Sequence, residues 1–228
     1  MKKIKRLTSL AGTALLIAIF ISSMTSVSAA SNSDEMASSQ NYTVSKSEVD
    51  AGWAKAKTKA VVPDKKTESN RLTLSENSNT GTYPIRSGVI LVTSDAYKGI
   101  IPTGHAAIIW TASTVVESLS QGVTTGLNNW NSSKTTCYAV TVGTTTASQD
   151  EDASNWCYSE IGKPYNYNFF NIATRAKFYC SQLVWASFND LDGIDLNTSA
   201  FSSFLGNPIH PMELVNNDKT VLIYKHTN

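Results

Sequence analysis

The sequence predicts an α+β fold for residues 83–228, a small antiparallel sheet packed with helices, and two observations carry this prediction. Short β-branched runs bounded by glycine and proline begin near Pro84, which is typical of strands. Further along the chain, apolar residues recur at spacings of three and four, which is typical of helices packed on a core. About 200 residues can bury one such core and carry a tail.

Five runs are predicted to be strands. The first is apolar throughout, so we expect it to be central in the sheet. The second and third are separated by a short turn and predict an antiparallel hairpin. The segment from Gly122 to Lys134, which contains Trp130, is interpreted as a loop. The predicted strands are Gly88 to Thr93, His105 to Trp110, Thr114 to Leu119, Cys137 to Val142 and Thr220 to Tyr224.

Three helices are predicted in this domain from caps and periodicity. Ser148 is the expected N-cap of a helix that ends at Gly162. An amphipathic helix runs from Cys180 to about Asp190, with its apolar side chains facing the core. Pro211 suits the first turn of a short helix through Asn216.

The N-terminal part of the chain has a different composition. Four basic residues precede an apolar run, and small residues follow it up to Ala29, so residues 1–29 are interpreted as a signal peptide cleaved after Ala29. We therefore expect a secreted or cell-wall-associated bacterial protein with no stable membrane span after cleavage; an uncleaved anchor is the alternative. Residues 30–82 are rich in Ser, Asn and Lys and are interpreted as a tail or linker. Within them, Ser47 as N-cap predicts a short helix from Glu48 to Ala60.

Charge, cysteines and histidines narrow the function classes. The predicted signal peptide holds four of the 19 Lys and Arg residues, so 15 remain against 18 Asp and Glu. Without a basic stripe, we expect no nucleic-acid partner. We also expect a monomer. The histidines and cysteines lack metal-ligand spacing, so we expect no metal and no cofactor. Cys137 and Cys157 form either a disulfide or two buried thiols.

Cys180 and His105 are the candidates for catalysis. Cys180 lies in the first turn of its helix, where the free N–H groups and the helix dipole favour a thiolate and can hold an oxyanion. A base must accompany it, and His105, at the start of a strand, is preferred over His210 and His226. If Trp110 pairs with Thr114, His105 lies opposite Leu119, and Glu117 is diagonal to it on the same face, where its carboxylate can orient the imidazole. A register slip of one residue would put Glu117 on the other face.

These segments carry a family resemblance. The stretches 162–165 (Gly-Lys-Pro-Tyr) and 179–185 (Tyr-Cys-Ser-Gln-Leu-Val-Trp) resemble the nucleophile region of NlpC-type papain-like cysteine hydrolases. The stretches 104–109 and 115–118 resemble their histidine strand and the strand with the third polar residue. Here the histidine precedes the cysteine by about 75 residues, an order that resembles the circularly permuted branch, the YiiX-like amidases and their lecithin:retinol-acyltransferase-like relatives. Tyr179 and Gln182 depart from the ordinary NlpC pattern, which leaves the substrate open.

The resemblance implies a permuted papain-like (NlpC-type) fold and a cysteine hydrolase that cleaves amide bonds with Cys180, His105 and Glu117. It also implies substrate contacts by Tyr165 and Tyr179, with the Tyr165 hydroxyl as a candidate oxyanion donor. Because export is expected, peptide links of cell-wall peptidoglycan are the predicted substrate. The alternatives are a lipid amidase, esterase or acyltransferase of the same fold, and a non-catalytic wall-binding module.

Overall fold

The computed structural model describes residues 44–67, 80–96 and 103–227 of the 228-residue chain. The predicted signal peptide and its cleavage site lie outside the described residues. The division of the chain into leader, linker and domain stays a prediction.

The described residues form one six-stranded antiparallel sheet in the order β4-β3-β2-β1-β5-β6. All four residues of β1 are buried, and β1 lies between β2 and β5, as the prediction of a central strand requires. The strands are β1 (Ile90–Thr93), β2 (His105–Thr111), β3 (Thr114–Leu119), β4 (Gly122–Leu127), β5 (Thr136–Val142) and β6 (Thr220–Thr227).

The interpretation of 122–134 as a loop is wrong. The segment contains the edge strand β4 and the one-turn helix α2 (Trp130–Ser133). β4 pairs along its whole length with β3, from Gly122 opposite Leu119 to Leu127 opposite Thr114. Its glycines and threonines hide the strand from sequence reasoning, because an edge strand needs few large apolar residues; only its first two residues are buried.

The hairpin register is the predicted one where it matters for the site. Ala107 lies opposite Glu117 and Ile109 opposite Val115, so His105 is diagonal to Glu117 on the same face. The expected pair of Trp110 with Thr114 does not form, because a β-bulge after Ile109 makes Thr111 the partner of Thr114. The bulge changes the pairing only next to the turn, so the end of the hairpin that carries His105 and Glu117 keeps the predicted register.

Five helices are described, and the caps of two differ from the prediction. α1 (Lys46–Thr58) begins after Ser45, whose side chain forms a capping box with Glu48, and α3 (Ala147–Ser159) begins after Thr146, which does so with Gln149. Both helices therefore start about two residues before the position expected. None of the helices in the described part of the chain is long and apolar enough to cross a membrane. Besides α1, α2 and α3, the described helices are α4 (Cys180–Asp192) and α5 (Pro211–Asn216).

The segment before the sheet packs onto it. Trp53 of α1 is 8% exposed and stacks on Tyr138 of β5, and Ala56 is buried beside it. At the helix end, the Lys59 ammonium donates to the backbone carbonyls of Val215, Asn217 and Thr220. α1 is thus held by a large aromatic anchor and by hydrogen bonds to the α5–β6 connection.

A buried ionic cluster connects residues 64–67, which follow α1, to helix α3. Asp150 of α3 is fully buried and accepts hydrogen bonds from Lys66 at 2.8 Å and from Arg86 at 2.7 Å. Arg86 also pairs with Asp64 at 2.9 Å. Because a buried carboxylate is tolerated only when paired and hydrogen-bonded, these cations are needed where Asp150 lies. Residues 64–67 are thereby tied to α3.

The two cysteines whose pairing was left open are free and buried, as is Cys180. The Cys157 thiol donates to the Leu183 carbonyl at 3.7 Å, which joins α3 to α4 in the core. Cys137 lies on the other face of the sheet, among Val89, Leu91 and Ala139. Burial raises the pKa of both thiols, that of Cys157 to about 12, so both stay protonated.

Candidate active site

Cys180 is the first residue of α4, the position that the sequence predicted for a nucleophile. The helix begins after Tyr179, whose backbone is extended, and Gly193 ends it in the left-handed conformation. Cys180 is 2% exposed, and its sulfur accepts hydrogen bonds from the backbone N–H groups of Ala106 and Ser181. These donors and the helix dipole act on the sulfur together, and both favour its anionic form.

His105 brings the base to this cysteine from the start of β2. Its Nε2 lies 2.7 Å from Oε2 of Glu117, and its ring also forms a hydrogen bond with the Cys180 side chain. Because Nε2 is engaged by Glu117, Nδ1 is the nitrogen that serves Cys180. The structure thus brings together the three side chains that the sequence singled out, in the order sulfur, imidazole, carboxylate.

Gly104 lets the chain enter β2 in this position. It has a φ of +100°, and a Cβ there would collide with the Thr93 carbonyl and with the Trp53 ring. Only glycine combines that backbone conformation with so close an approach. The residue before the imidazole is therefore fixed between β1 and helix α1.

The charges of the site favour a thiolate–imidazolium pair. Burial disfavours the cationic form of His105, but hydrogen bonds and charges from Cys180 and Glu117 outweigh it and raise the pKa of the imidazole. Burial likewise disfavours the thiolate, but the hydrogen bond and charge of His105, with the two backbone N–H groups, lower the pKa of Cys180. The pKa of Cys180 is thus lowered and that of His105 raised, and both shifts favour the thiolate–imidazolium pair over the neutral thiol and imidazole.

Trp130 covers the imidazole, a contact that the sequence did not predict. The indole is 3% exposed and stacks on the His105 ring, with centroids 5.6 Å apart and planes inclined by 29°. Its backbone N–H donates to the Tyr83 hydroxyl at 3.0 Å, which fixes the one-turn helix α2. An aromatic face next to the ring excludes water and attracts an imidazolium.

Gln182 and Asn166 hold the loop beside Cys180. The buried Gln182 amide donates to the carbonyls of Ile172 and Thr174, and its oxygen accepts from the Tyr179 N–H and the Asn166 amide. The family resemblance identified Gln182 only as a departure from the ordinary NlpC pattern. Its place three residues after the helix N-cap is a capping-box position, and that signal could have identified its anchoring role.

Tyr165 lies close to the cysteine because its segment runs beside the residues that precede α4. It forms a parallel bridge with Phe178, and the Phe178 N–H donates to the Pro164 carbonyl at 3.1 Å. Within the described part of the chain, the buried Tyr165 hydroxyl has no hydrogen-bond partner. Burial, with the nearby Cys180, raises the pKa of Tyr165 well above its ordinary value, so the hydroxyl remains a donor.

Tyr179, the other predicted substrate contact, packs inward. Its hydroxyl accepts from the Ile209 N–H at 3.0 Å and donates to the Phe169 carbonyl at 3.3 Å. The side chain is 3% exposed. Its hydroxyl thus joins three parts of the chain around the start of α4, and its predicted contact with substrate stays a prediction.

The other two histidines lie in different settings. His210 packs on Phe201, and burial lowers its pKa to about 4, which keeps it neutral. His226 is on β6, where its Nε2 meets the Lys134 carbonyl at 3.0 Å. The preference for His105 as the base therefore agrees with the geometry.

A family model described as "Permuted papain-like amidase enzyme, YaeF/YiiX, C92 family" matches residues 89–210, more than half of the chain. The match contains Cys180, His105 and Glu117, whereas α1 lies outside it. The chain is also similar to the uncharacterized protein YycO of Bacillus subtilis strain 168, with 27% identity over 161 residues, 68% of this chain and 63% of YycO. The chain thus spans less than two thirds of that relative.

Among solved structures, the chain resembles the crystal structure of the metalloprotein YiiX from Escherichia coli O157:H7. The TM-score is 0.51 at 14% identity, and the alignment covers 64% of this chain and 100% of YiiX. At that identity the likeness concerns the fold. Together with the family match, it confirms the permuted papain-like fold that the sequence predicted.

Proposed function

The chain belongs to the permuted papain-like amidases of the YaeF/YiiX, C92 family. We propose that it is a cysteine hydrolase and that Cys180, His105 and Glu117 carry its reaction. This proposal rests on one observation: the His105 imidazole forms hydrogen bonds with both Glu117 and Cys180. His105 is bonded to Glu117 at 2.7 Å through Nε2 and also forms a hydrogen bond with Cys180. Nucleophile, base and orienting carboxylate then act in sequence.

In the first half of the reaction, the Cys180 thiolate attacks the amide carbonyl carbon and forms a carbon–sulfur bond. The negative charge moves to the carbonyl oxygen, where the Cys180 backbone N–H and the Tyr165 hydroxyl donate to it. Tyr165 suits this task because its hydroxyl is buried, protonated and without a partner in the described residues. The imidazolium of His105 gives its proton to the amine nitrogen as the carbon–nitrogen bond breaks.

In the second half, neutral His105 takes a proton from water, and the resulting hydroxide attacks the thioester. The carbon–sulfur bond breaks, the acid product leaves, and the thiolate and imidazolium are restored. Glu117 holds the ring in place through both halves and stabilises its cationic form. Among the described residues no group of three His, Cys, Asp or Glu side chains could hold a metal ion, and the proposed steps use none.

For the substrate, we favour peptide links of peptidoglycan outside the cell. The support is the signal-like N-terminus of the sequence, which predicts export to the compartment that contains the wall. A second candidate is an amide or ester of an acyl chain. It is favoured by the partly exposed aromatic residues Tyr167, Phe169 and Phe170, which follow Tyr165 in the chain.

The experiment compares the chain without residues 1–29 with its Cys180→Ala variant on two substrates, purified peptidoglycan and N-acyl amide lipids. We expect release of muropeptides by the wild type and none by Cys180→Ala. Cys157→Ala is the matched control, since it removes a thiol from the core and leaves the site intact. Cleavage of the lipids alone would select the second candidate, and full activity of Cys180→Ala would overturn the assignment of the nucleophile.

A further inference from the structure

The carboxylate of Glu117 lies over a position on the neighbouring strand that carries no side chain. On β4, Thr124 is opposite Glu117 and Gly126 is opposite Val115, so Thr124 and Gly126 share the face of the sheet on which Glu117 lies. A Cβ on Gly126 would come under 3.0 Å from Oε1 of Glu117, closer than real contacts allow. The other carboxylate oxygen, Oε2, is the one bonded to His105.

Backbone conformation does not explain this glycine. Its φ is outside the positive range adopted by seven other glycines of the described residues, so alanine could adopt the same backbone. A glycine inside a strand also lacks the packing that a side chain would give. The structural reason for glycine is therefore space, and the group that occupies the space is the Glu117 carboxylate.

We propose that Gly126 is a positioning residue, whose missing side chain lets the Glu117 carboxylate lie flat against β4 and reach His105. The proposal rests on the proposed function, because it acts through the Glu117–His105 hydrogen bond. In Gly126→Ala, the new methyl group displaces the end of a flexible side chain, which is easily moved. The fold tolerates the change, while the imidazolium loses its carboxylate partner.

The test measures ionisation of Cys180 by its rate of alkylation with iodoacetamide against pH. When the imidazolium is less stabilised, the thiolate is less stabilised too, so we expect the pH midpoint of alkylation to rise by about one unit in Gly126→Ala. Amide hydrolysis should fall by about 10- to 100-fold, as is usual when a group that orients a histidine is lost. Thermal unfolding should stay close to that of the wild type.

A double-mutant cycle separates this mechanism from general disturbance of the strand. In a Glu117→Ala background there is no carboxylate to displace, so adding Gly126→Ala should leave the alkylation midpoint where Glu117→Ala alone puts it. Gly143→Ala is the matched control, since a Cβ there meets its nearest neighbours at 3.4 Å, an ordinary contact. It should behave as the wild type.

Two results would overturn the proposal: an unchanged midpoint in Gly126→Ala, or an equal shift in both backgrounds. Alkylation requires no substrate, so its outcome does not depend on which amide the enzyme cleaves. A wrong substrate would abolish the hydrolysis signal in every variant and leave the alkylation series intact. Failure of the positioning role and failure of the proposed substrate are therefore distinguishable.

Discussion

Cys180 and the two other cysteines have pKa values shifted in opposite directions, although all three are buried. Hydrogen bonds and the charge of His105 lower the pKa of Cys180, whereas burial raises the pKa of Cys137 and Cys157. Because the thiolate is the form that reacts, we expect iodoacetamide to modify Cys180 first in the folded protein near neutral pH. Mass spectrometry of the labelled peptides measures this. Equal and slow labelling of the three would show that the site does not activate Cys180.

The same pair sets the pH dependence of catalysis. The proposed mechanism requires a deprotonated Cys180 and a protonated His105, and the pKa of Cys180 is lowered while that of His105 is raised. We therefore expect the pH profile of kcat/KM to rise with the ionisation of Cys180 and to fall with the deprotonation of His105, whose pKa is raised to about 9.

The variant Glu117→Gln tests whether the Glu117 carboxylate stabilises the protonated form of His105. A neutral amide does not stabilise the imidazolium, so the pKa of His105 should fall and the alkaline limb of the profile should move to lower pH. We expect kcat/KM to decrease by about 10- to 100-fold. Glu151→Gln, which changes an exposed carboxylate on α3, is the control. An alkaline limb that does not move would show that Glu117 does not act on His105.

The parts of this site that could be predicted from the sequence are those whose residues lie close together along the chain. Cys180 was predictable from its helix, and the pair of His105 and Glu117 from one hairpin, because both depend on local patterns. Trp130 and the Asn166–Gln182 bond were not, since each joins segments whose approach only the folded chain defines. Trp130 was further hidden because its segment was interpreted as a loop.

Among the secondary-structure elements, five of the six strands were predictable from the sequence, and the edge strand β4 was not. β1, β2, β3 and β5 carry apolar residues of the cores on both faces of the sheet, so each is recognisable in the sequence as a run of apolar residues. Only the first two residues of β4 are buried, so threonine and glycine suffice for most of it, whereas the other edge strand, β6, buries Leu222, Ile223 and Tyr224 and is visible as an apolar run. The helix caps were misplaced for a related reason, since several serines and threonines near each start offer similar capping chemistry.

Helix α1 gives a prediction about stability. Its anchor, Trp53, is 8% exposed, stacks on Tyr138 and lies against Gly104, directly before His105. Replacing it with alanine leaves a large cavity between α1 and the sheet, so we expect Trp53→Ala to lower the free energy of unfolding by about 3–5 kcal/mol. Urea denaturation measures the change, with Lys55→Ala on the exposed side of α1 as control. A loss below about 1 kcal/mol would mean that α1 contributes little to the core.

The stability of the whole molecule should depend on pH through two buried groups with opposite effects. Burial raises the pKa of Glu213 to about 7, although hydrogen bonds from Thr198 and from the His210 backbone oppose it. Burial also lowers the pKa of His210 to about 4. Between pH 4.5 and 7 the folded chain keeps a proton on Glu213 that the unfolded chain releases, so this group lowers stability as pH rises. His210 does the reverse between pH 4 and 6.5, because there the unfolded chain binds more protons.

The variant Glu213→Gln isolates the first of these effects, since His210 is present in both proteins. The amide has no proton to release, so the variant lacks the loss of stability that the wild type undergoes as the buried carboxylate becomes charged. From pH 5 to pH 8, we expect the stability of Glu213→Gln relative to wild type to rise by about 2.5 kcal/mol, as urea denaturation at the two pH values would measure. Glu151→Gln, on the surface of α3, should show no such difference. If the relative stability of Glu213→Gln is the same at both pH values, Glu213 is already charged in the folded protein at pH 5.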